Sequence, residues 1–374
     1  MKKTLYSILL FLFYLTVPPT AQAQLLNDPA GMKLIQESID HIYNYDFEEA
    51  NKISQQVRAR YPNHPVTHLL KAFQMYWQYL PIQNNKAKSQ EYIATLNQCL
   101  AAVDKQYGRE STNPEAVFFT MAAHGFRALM YNYQRELIKA ATEAKSAYNA
   151  LMAGMKLTDK NPEFFFTTGM YNYYVEVYPN DHPIVKPVMF FFKSGNKALG
   201  IKQVDTATRV GVITRAEASY YLARIYLEQE SRPDQATVYS SKLNSWYPQN
   251  PVYKMVYAES LIQAGRYDEA TDEINFLKRY TGGFYPIAWR TFQGLVEEKK
   301  EKDDAQAQRE YLAALRTPYD EQFTREYHAM AYAGLARIAD RAGNKSQARD
   351  YYKKSLDITY YKSIIKEAKG YLNK

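Results

Sequence analysis

Arg60-Tyr61-Pro62-Asn63-His64-Pro65-Val66 is met again as Trp246-Tyr247-Pro248-Gln249-Asn250-Pro251-Val252. In both copies an alanine precedes the tyrosine by eleven residues, Ala50 and Ala236. Those alanines close similar short turns, Tyr45-Asp46-Phe47-Glu48-Glu49-Ala50 and, further on, Arg266-Tyr267-Asp268-Glu269-Ala270. From Ala236 to Ala270 is 34 residues, and Ala307 and Ala348 continue the series at looser spacing. A recurring period of this length marks one supersecondary unit stacked on copies of itself, because so short a unit cannot bury its apolar face alone.

The unit is helical. Asn113-Pro114-Glu115, Asn161-Pro162-Glu163 and Asn250-Pro251 each place a capping side chain before a proline at the first helical position. Asparagine satisfies free amides there, and proline loses nothing because its missing N–H would be orphaned anyway. Apolar residues three and four apart follow, such as Val252, Val256 and Leu261, while alternating strand patterns and Asn-Gly or Asp-Gly hairpin turns are lacking. The chain reads as all-α.

Gly265 or Gly343 closing a first helix, a small or aromatic pair before alanine, an aromatic four residues later and Pro248 twelve after Ala236 resemble tetratricopeptide repeats, over about 215–374 and again over 31–65. The resemblance implies a right-handed α-solenoid of stacked antiparallel helix pairs. It divides the chain into 24–210, degenerate helical hairpins, and 211–374, repeats with a C-terminal capping helix. Within the middle, Phe164-Phe165-Phe166-Thr167-Thr168-Gly169-Met170-Tyr171-Asn172 leads to Tyr178-Pro179, then to Ser194-Gly195-Asn196-Lys197-Ala198-Leu199-Gly200. This order (a glycine-aromatic-Asn helix, a proline break, a glycine-rich basic helix start) resembles the tetratricopeptide-repeat-39-like family, which implies no catalytic residues.

Met1-Lys2-Lys3, an apolar run from Leu5 to Val17 and the exit Ala21-Gln22-Ala23 read as a secretory signal cut after Ala23. The run is too short to anchor in a bilayer roughly 30 Å thick, and no cysteine near the cut offers a lipid site. A periplasmic or secreted protein with no transmembrane span is expected. With one Cys in 374 residues, a disulfide framework and cysteine-based metal sites are excluded. Cys99, among Ile93, Leu96, Leu100 and Val103 at helical spacing, is expected in the core.

Catalytic signatures are missing: there is no His-Glu-x-x-His, Gly-x-Ser-x-Gly, phosphate loop or zinc spacing. Neither an enzyme nor a cofactor is expected. His64 and His68 are four apart, but without a third ligand they read as unrelated surface histidines, His64 being a helix cap before Pro65. Glu48-Glu49 and Glu297-Glu298 diverge on a helix and read as solvated faces. The aromatic stretch Phe164–Phe192 is either a locally thick core or a ligand slot.

Net charge is +8, concentrated in 186–215 and 345–374, each locally +5. The C-terminal set fits an ordinary solvated cap or a peripheral contact with an anionic envelope surface; an exported chain is not expected to meet nucleic acid. The leading expectation is a non-catalytic scaffold holding a protein or peptide along the concave face formed by the first helix of each pair. Projecting repeat positions onto this sequence gives Tyr221, Ile225, Met255, Glu259, Trp289, Phe292, Arg337 and Arg341 as groove candidates. Thirty-five tyrosines suit such a surface, offering apolar area and a hydroxyl at low entropic cost. The second expectation is a glycan-binding or uptake accessory protein on the same repeats, with aromatics stacking on sugars.

Overall fold

The helix starts form as their local chemistry dictates. Asn113 Oδ1 accepts from the Glu115 amide at 2.8 Å, and Asn250 Oδ1 accepts from Val252 and Tyr253 at 2.9 and 3.1 Å. His64 takes the same role through Nδ1, 3.1 Å from the Val66 amide. The prolines that follow occupy the first helical positions. Asn161 caps one turn early, on Glu163, and its helix begins at Phe164.

The computed structural model describes residues 25–181, 186–190 and 192–374; the export signal expected over 1–23 lies outside them. The described residues contain no strand. Their helices fall into consecutive packed pairs: α1 (Pro29–Tyr43) with α2 (Phe47–Arg60), α3 (Pro65–Gln78) with α4 (Lys86–Tyr107), and α5 (Pro114–Tyr133) with α6 (Leu137–Gly154). Then come α7 (Phe164–Asp181) with α8 (Lys197–Val210), α9 (Arg215–Glu228) with α10 (Pro233–Trp246), and α11 (Pro251–Gln263) with α12 (Tyr267–Leu277). The series ends in α13 (Tyr285–Val296) with α14 (Asp304–Ala314), α15 (Arg325–Arg341) with α16 (Lys345–Ile358), and a closing α17 (Lys362–Leu372). First helices also pack on the next first helices, α9 on α11, α11 on α13 and α13 on α15. The fold is an α-solenoid.

One conformation recurs at the turn inside six of these pairs. Gly265 and Gly343 have φ of 75° and 79°, each two residues before the second helix. Tyr45, Arg135, Ser231 and Lys302 stand in the corresponding places with φ of 64°, 60°, 49° and 61°. Glycine adopts this left-handed geometry freely, and other L-residues do so at a cost of roughly 1–2 kcal/mol. The pairs at 29–60, 114–154 and 215–246 therefore share the turn of the later repeats without its glycine.

The alanine anchors mark the close contacts: Ala50, Ala236, Ala270, Ala307 and Ala348 are all 0% exposed. Ala270→Leu is expected to lower stability by about 1–3 kcal/mol through overpacking, while Lys345→Leu on the exposed start of α16 changes it little. Thermal melts of the two variants side by side check this, and equal melting temperatures would contradict the anchor role. The looser spacing before Ala307 coincides with a π-helical turn, Glu297–Glu301, which extends α13. Such a turn inserts extra backbone between otherwise equivalent positions.

In the middle, glycines let α7 and α8 touch backbone to backbone. A Cβ on Gly200 would lie 2.6 Å from the Tyr173 amide nitrogen and 2.7 Å from the Gly169 carbonyl oxygen. Pro179 does not break its helix: α7 runs on to Asp181, with the proline in its last turn, where little of the ladder remains to disrupt. The aromatic stretch is divided. Phe164 and Tyr173 are fully buried, while Tyr178 and Phe190 are exposed.

The solenoid curls until its first pair meets its fifth and sixth. Asp40 on α1 accepts from Arg215 at 2.7 Å and from the Tyr247 hydroxyl at 2.8 Å. Asn250 donates to the Tyr43 carbonyl at 2.7 Å, and the Gln249 amide to Asn44 at 3.1 Å. Further along, Gln83 donates to Gln322 at 3.1 Å. Tyr43, Tyr247 and Tyr253 close the seam as one aromatic cluster with Trp77. Among the described residues no helix is long and apolar enough to cross a membrane.

Candidate functional site

The curl encloses a cavity of about 1000 Å³, lined from the first helices of the pairs. α3 contributes Tyr76 and Trp77, α5 contributes Asn132 and Tyr133, α7 contributes Tyr174, and α11 contributes Val252, Met255 and Val256. The largest share comes from α9, with Glu217, Tyr220, Tyr221, Arg224 and Glu228. This is one helical stripe, at spacings of three and four, and the residues between (Ala216, Ala218, Leu222, Ala223, Ile225 and Leu227) are buried in the core. On the far side the loop 319–323 leads into Arg325, Glu326 and Tyr327 of α15. His328 holds that loop: its two ring nitrogens lie 3.1 Å from the Thr317 carbonyl and 3.0 Å from that of Thr324.

The walls are aromatic and their charges are mostly paired. Arg224 donates to Glu228 at 2.7 Å and to Glu259 at 3.1 Å. Glu259, fully buried just beneath, also accepts from Tyr327 at 3.3 Å and from Tyr361. Burial pushes its carboxyl above the usual range, against the pull of Arg224 and Tyr361. Arg325 pairs with Glu326 at 3.1 Å and Glu321 at 3.5 Å, and Glu326 also accepts from Thr359 at 2.7 Å and the Tyr360 amide at 3.0 Å. Burial raises the Tyr76 and Tyr221 phenols well above their ordinary value, so both stay protonated and offer donors alongside their ring faces.

The groove candidates distribute unevenly over this geometry. Tyr221 and Met255 line the cavity. Ile225 and Phe292 are 0% exposed and belong to the core. Glu259 is the polar hub beneath the wall. Trp289, half-buried on α13, packs under Arg290. Arg337 and Arg341 are corrected most sharply: the carboxylate they jointly hold belongs to the chain. Arg337 forks onto Glu298 at 2.8 and 2.7 Å and reaches Glu367 at 2.9 Å; Arg341 pairs with Glu298 at 3.1 Å and with Asp304 at 2.5 Å. Glu298 is likewise no solvated face but a buried counter-ion, 3% exposed, carried under α15 by the π-turn.

His64 is not a surface residue. It is 3% exposed, and its Nε2 lies 2.9 Å from the Tyr107 hydroxyl and 3.0 Å from Glu115. His68 is partly buried one turn further on, and burial lowers its pKa. No group of three His, Cys, Asp or Glu among the described residues is placed to hold a metal ion. Cys99 is fully buried, and burial pushes its thiol up to about 12, which makes it inert at neutral pH.

No family model and no curated protein matches the sequence. Among solved structures the chain is similar to a tetratricopeptide repeat protein from Parabacteroides merdae, with 15% identity over 93% of this chain and 100% of that chain and a TM-score of 0.28.

Proposed function

We propose that this chain is a non-catalytic scaffold of the cell envelope, exported and trimmed after Ala23, that holds a segment of a protein partner in the cavity of its curled solenoid. The observation carrying this reading is the convergence of first helices from successive pairs on one space of about 1000 Å³, walled by tyrosines. Such a space lies at the upper end of pockets that engulf a ligand. Tyrosine walls supply contact area and hydrogen bonds at little entropic cost, and side chains of this kind dominate binding hot spots. Lys366 and Lys369, exposed on α17, give the C-terminal end a basic face suited to an anionic envelope surface; nucleic acid has no part in this reading. The aromatic walls beside Gln83, Asn84 and Asn132 also suit a sugar, which is the alternative.

Peptide and glycan arrays probed with wild type and with Tyr221→Ala decide between the two. Peptide capture that falls at least tenfold in the variant, a loss of about 1.4 kcal/mol, is the expected result. Glycan binding without peptide binding would establish the alternative, and capture indifferent to Tyr221 would remove the cavity as the site.

A further inference from the structure

The protein carries a net charge of +8, yet the cavity reverses the sign. Three cationic side chains, Arg135, Arg224 and Arg325, face five carboxylates, Glu217, Glu228, Asp320, Glu321 and Glu326. Arg224 is held between Glu228 and Glu259, and Arg325 between Glu321 and Glu326. An incoming anion therefore finds two of the three guanidiniums already doubly countered. A cation meets a different situation at Glu217. This carboxylate accepts one hydrogen bond, from the Tyr43 hydroxyl at 2.9 Å, and has no cationic partner among the described residues. It lies deep in the molecule, at the seam where α1 meets α9, and still faces the cavity.

We propose that the cavity captures its partner through a lysine side chain, with Glu217 as the counter-ion and the rings of Trp77, Tyr220 and Tyr221 as the wall around the ammonium. The inference rests on the peptide-holding reading above and names the chemistry of the segment held. A lysine fits the depth of the site: its four-carbon stem packs along apolar rings while the ammonium reaches a remote carboxylate. Ring faces attract a cation within about 6 Å of their centroids, more strongly where water is thin. The neighbouring hydroxyls do not compete for the role, since tyrosine donates to the carboxylate but brings no charge. Burial raises the Glu217 carboxyl above its usual range, a penalty on the anion that an arriving ammonium relieves.

The test uses four N-acetylated hexapeptides, identical but for one central residue: lysine, Nε-acetyl-lysine, glutamate or alanine. A fifth carries alanine at the centre and a free N-terminus. Binding is measured by calorimetry to the full mature chain and to Glu217→Gln, in which the amide oxygen still accepts from Tyr43, so the melting temperature should be preserved. The lysine peptide is expected to bind at least tenfold more tightly than its acetylated and glutamate counterparts, and Glu217→Gln to erase that difference. Equal binding of lysine and acetyl-lysine, or a preference that survives Glu217→Gln, would overturn the counter-ion role. Tightest binding by the free N-terminus would replace the lysine with a terminal ammonium and overturn the assignment of the side chain. Preference for glutamate would sink the cation reading and leave peptide holding intact, whereas failure of all five peptides to bind would count against both.

Discussion

With Arg337 and Arg341 both replaced by alanine, the protein is expected to lose about 3–5 kcal/mol of stability at pH 7. The loss follows from what remains behind. Glu298 is 3% exposed and takes three guanidinium hydrogen bonds from the two arginines, besides one from the Tyr311 hydroxyl at 2.8 Å. Burial alone would raise this carboxyl; Arg337, helped by Lys299 and Tyr311, outweighs burial and holds it at about 2, against an ordinary 4.5. That depression corresponds to on the order of 3 kcal/mol in favour of the folded state. Because the folded pKa lies below the unfolded one, the contribution is complete above about 4.5 and disappears as pH falls toward 2. The gap between wild type and double variant should therefore be widest near neutrality and close in acid. Urea titrations at pH 7 and pH 3 measure it. Lys366→Ala with Lys369→Ala removes the same charge from exposed sites and should change stability by under about 1 kcal/mol. Equal losses in the two double variants would show a general charge effect instead of a buried counter-ion.

The geometry around Glu298 also shows why sequence reasoning misplaced the pair. Arg337 and Arg341 are one turn apart on a first helix, as groove residues should be, but projecting repeat positions takes every pair as equivalent. The π-turn at Glu297–Glu301 breaks that equivalence and slides Glu298 under α15. Nothing in the adjacent Glu297-Glu298 reveals which carboxylate is buried. What was legible is what local chemistry fixes: the Asn-Pro caps, the small alanines at the close contacts, Cys99 in the core. The turn glycine was a weaker guide, since Tyr45, Arg135, Ser231 and Lys302 adopt the same positive φ without it, and its lack concealed the pair at 114–154. The glycines of the middle segment were visible in order but not in role; a missing Cβ speaks of close approach, and does not say that Gly169 and Gly200 approach each other. The cavity wall did leave a trace. Glu217, Tyr220, Tyr221, Arg224 and Glu228 form a polar and aromatic stripe on a helix whose other positions are mostly Ala, Leu and Ile, which a helical projection of α9 alone displays. Tyr43 and Trp77, over a hundred residues away, cannot be joined to that stripe without the curl.

The position of that stripe depends on one distant carboxylate, and Glu163→Ala is expected to cost roughly 3–5 kcal/mol. Glu163, 1% exposed just before α7, accepts the backbone amides of Val212, Ile213 and Thr214 at 2.7, 3.1 and 2.9 Å and the Thr214 hydroxyl at 2.7 Å. These are the last residues before α9, and Thr214 itself makes no side-chain cap bond. Glu163 thus caps α9 from another helix pair, where its charge also meets the positive end of the helix dipole. Alanine would orphan three amides and a hydroxyl in a largely buried site, each worth about 1–3 kcal/mol when left unsatisfied, with some recovery at half-buried Val212 as the loop relaxes toward water. Glu163→Gln retains an accepting oxygen but turns an NH₂ toward an amide donor, so it should fall between wild type and alanine. The consequence for binding separates this residue from Glu217. Loosening the start of α9 displaces the whole stripe, so Glu163→Ala should lose stability and peptide affinity together, while Glu217→Gln loses affinity at an unchanged melting temperature. Amide exchange over 212–220 reports the loosening directly. If exchange there is as slow in Glu163→Ala as in wild type, the carboxylate does not hold the helix, and the cavity wall owes its position to the Asp40–Arg215 pair at the opposite face.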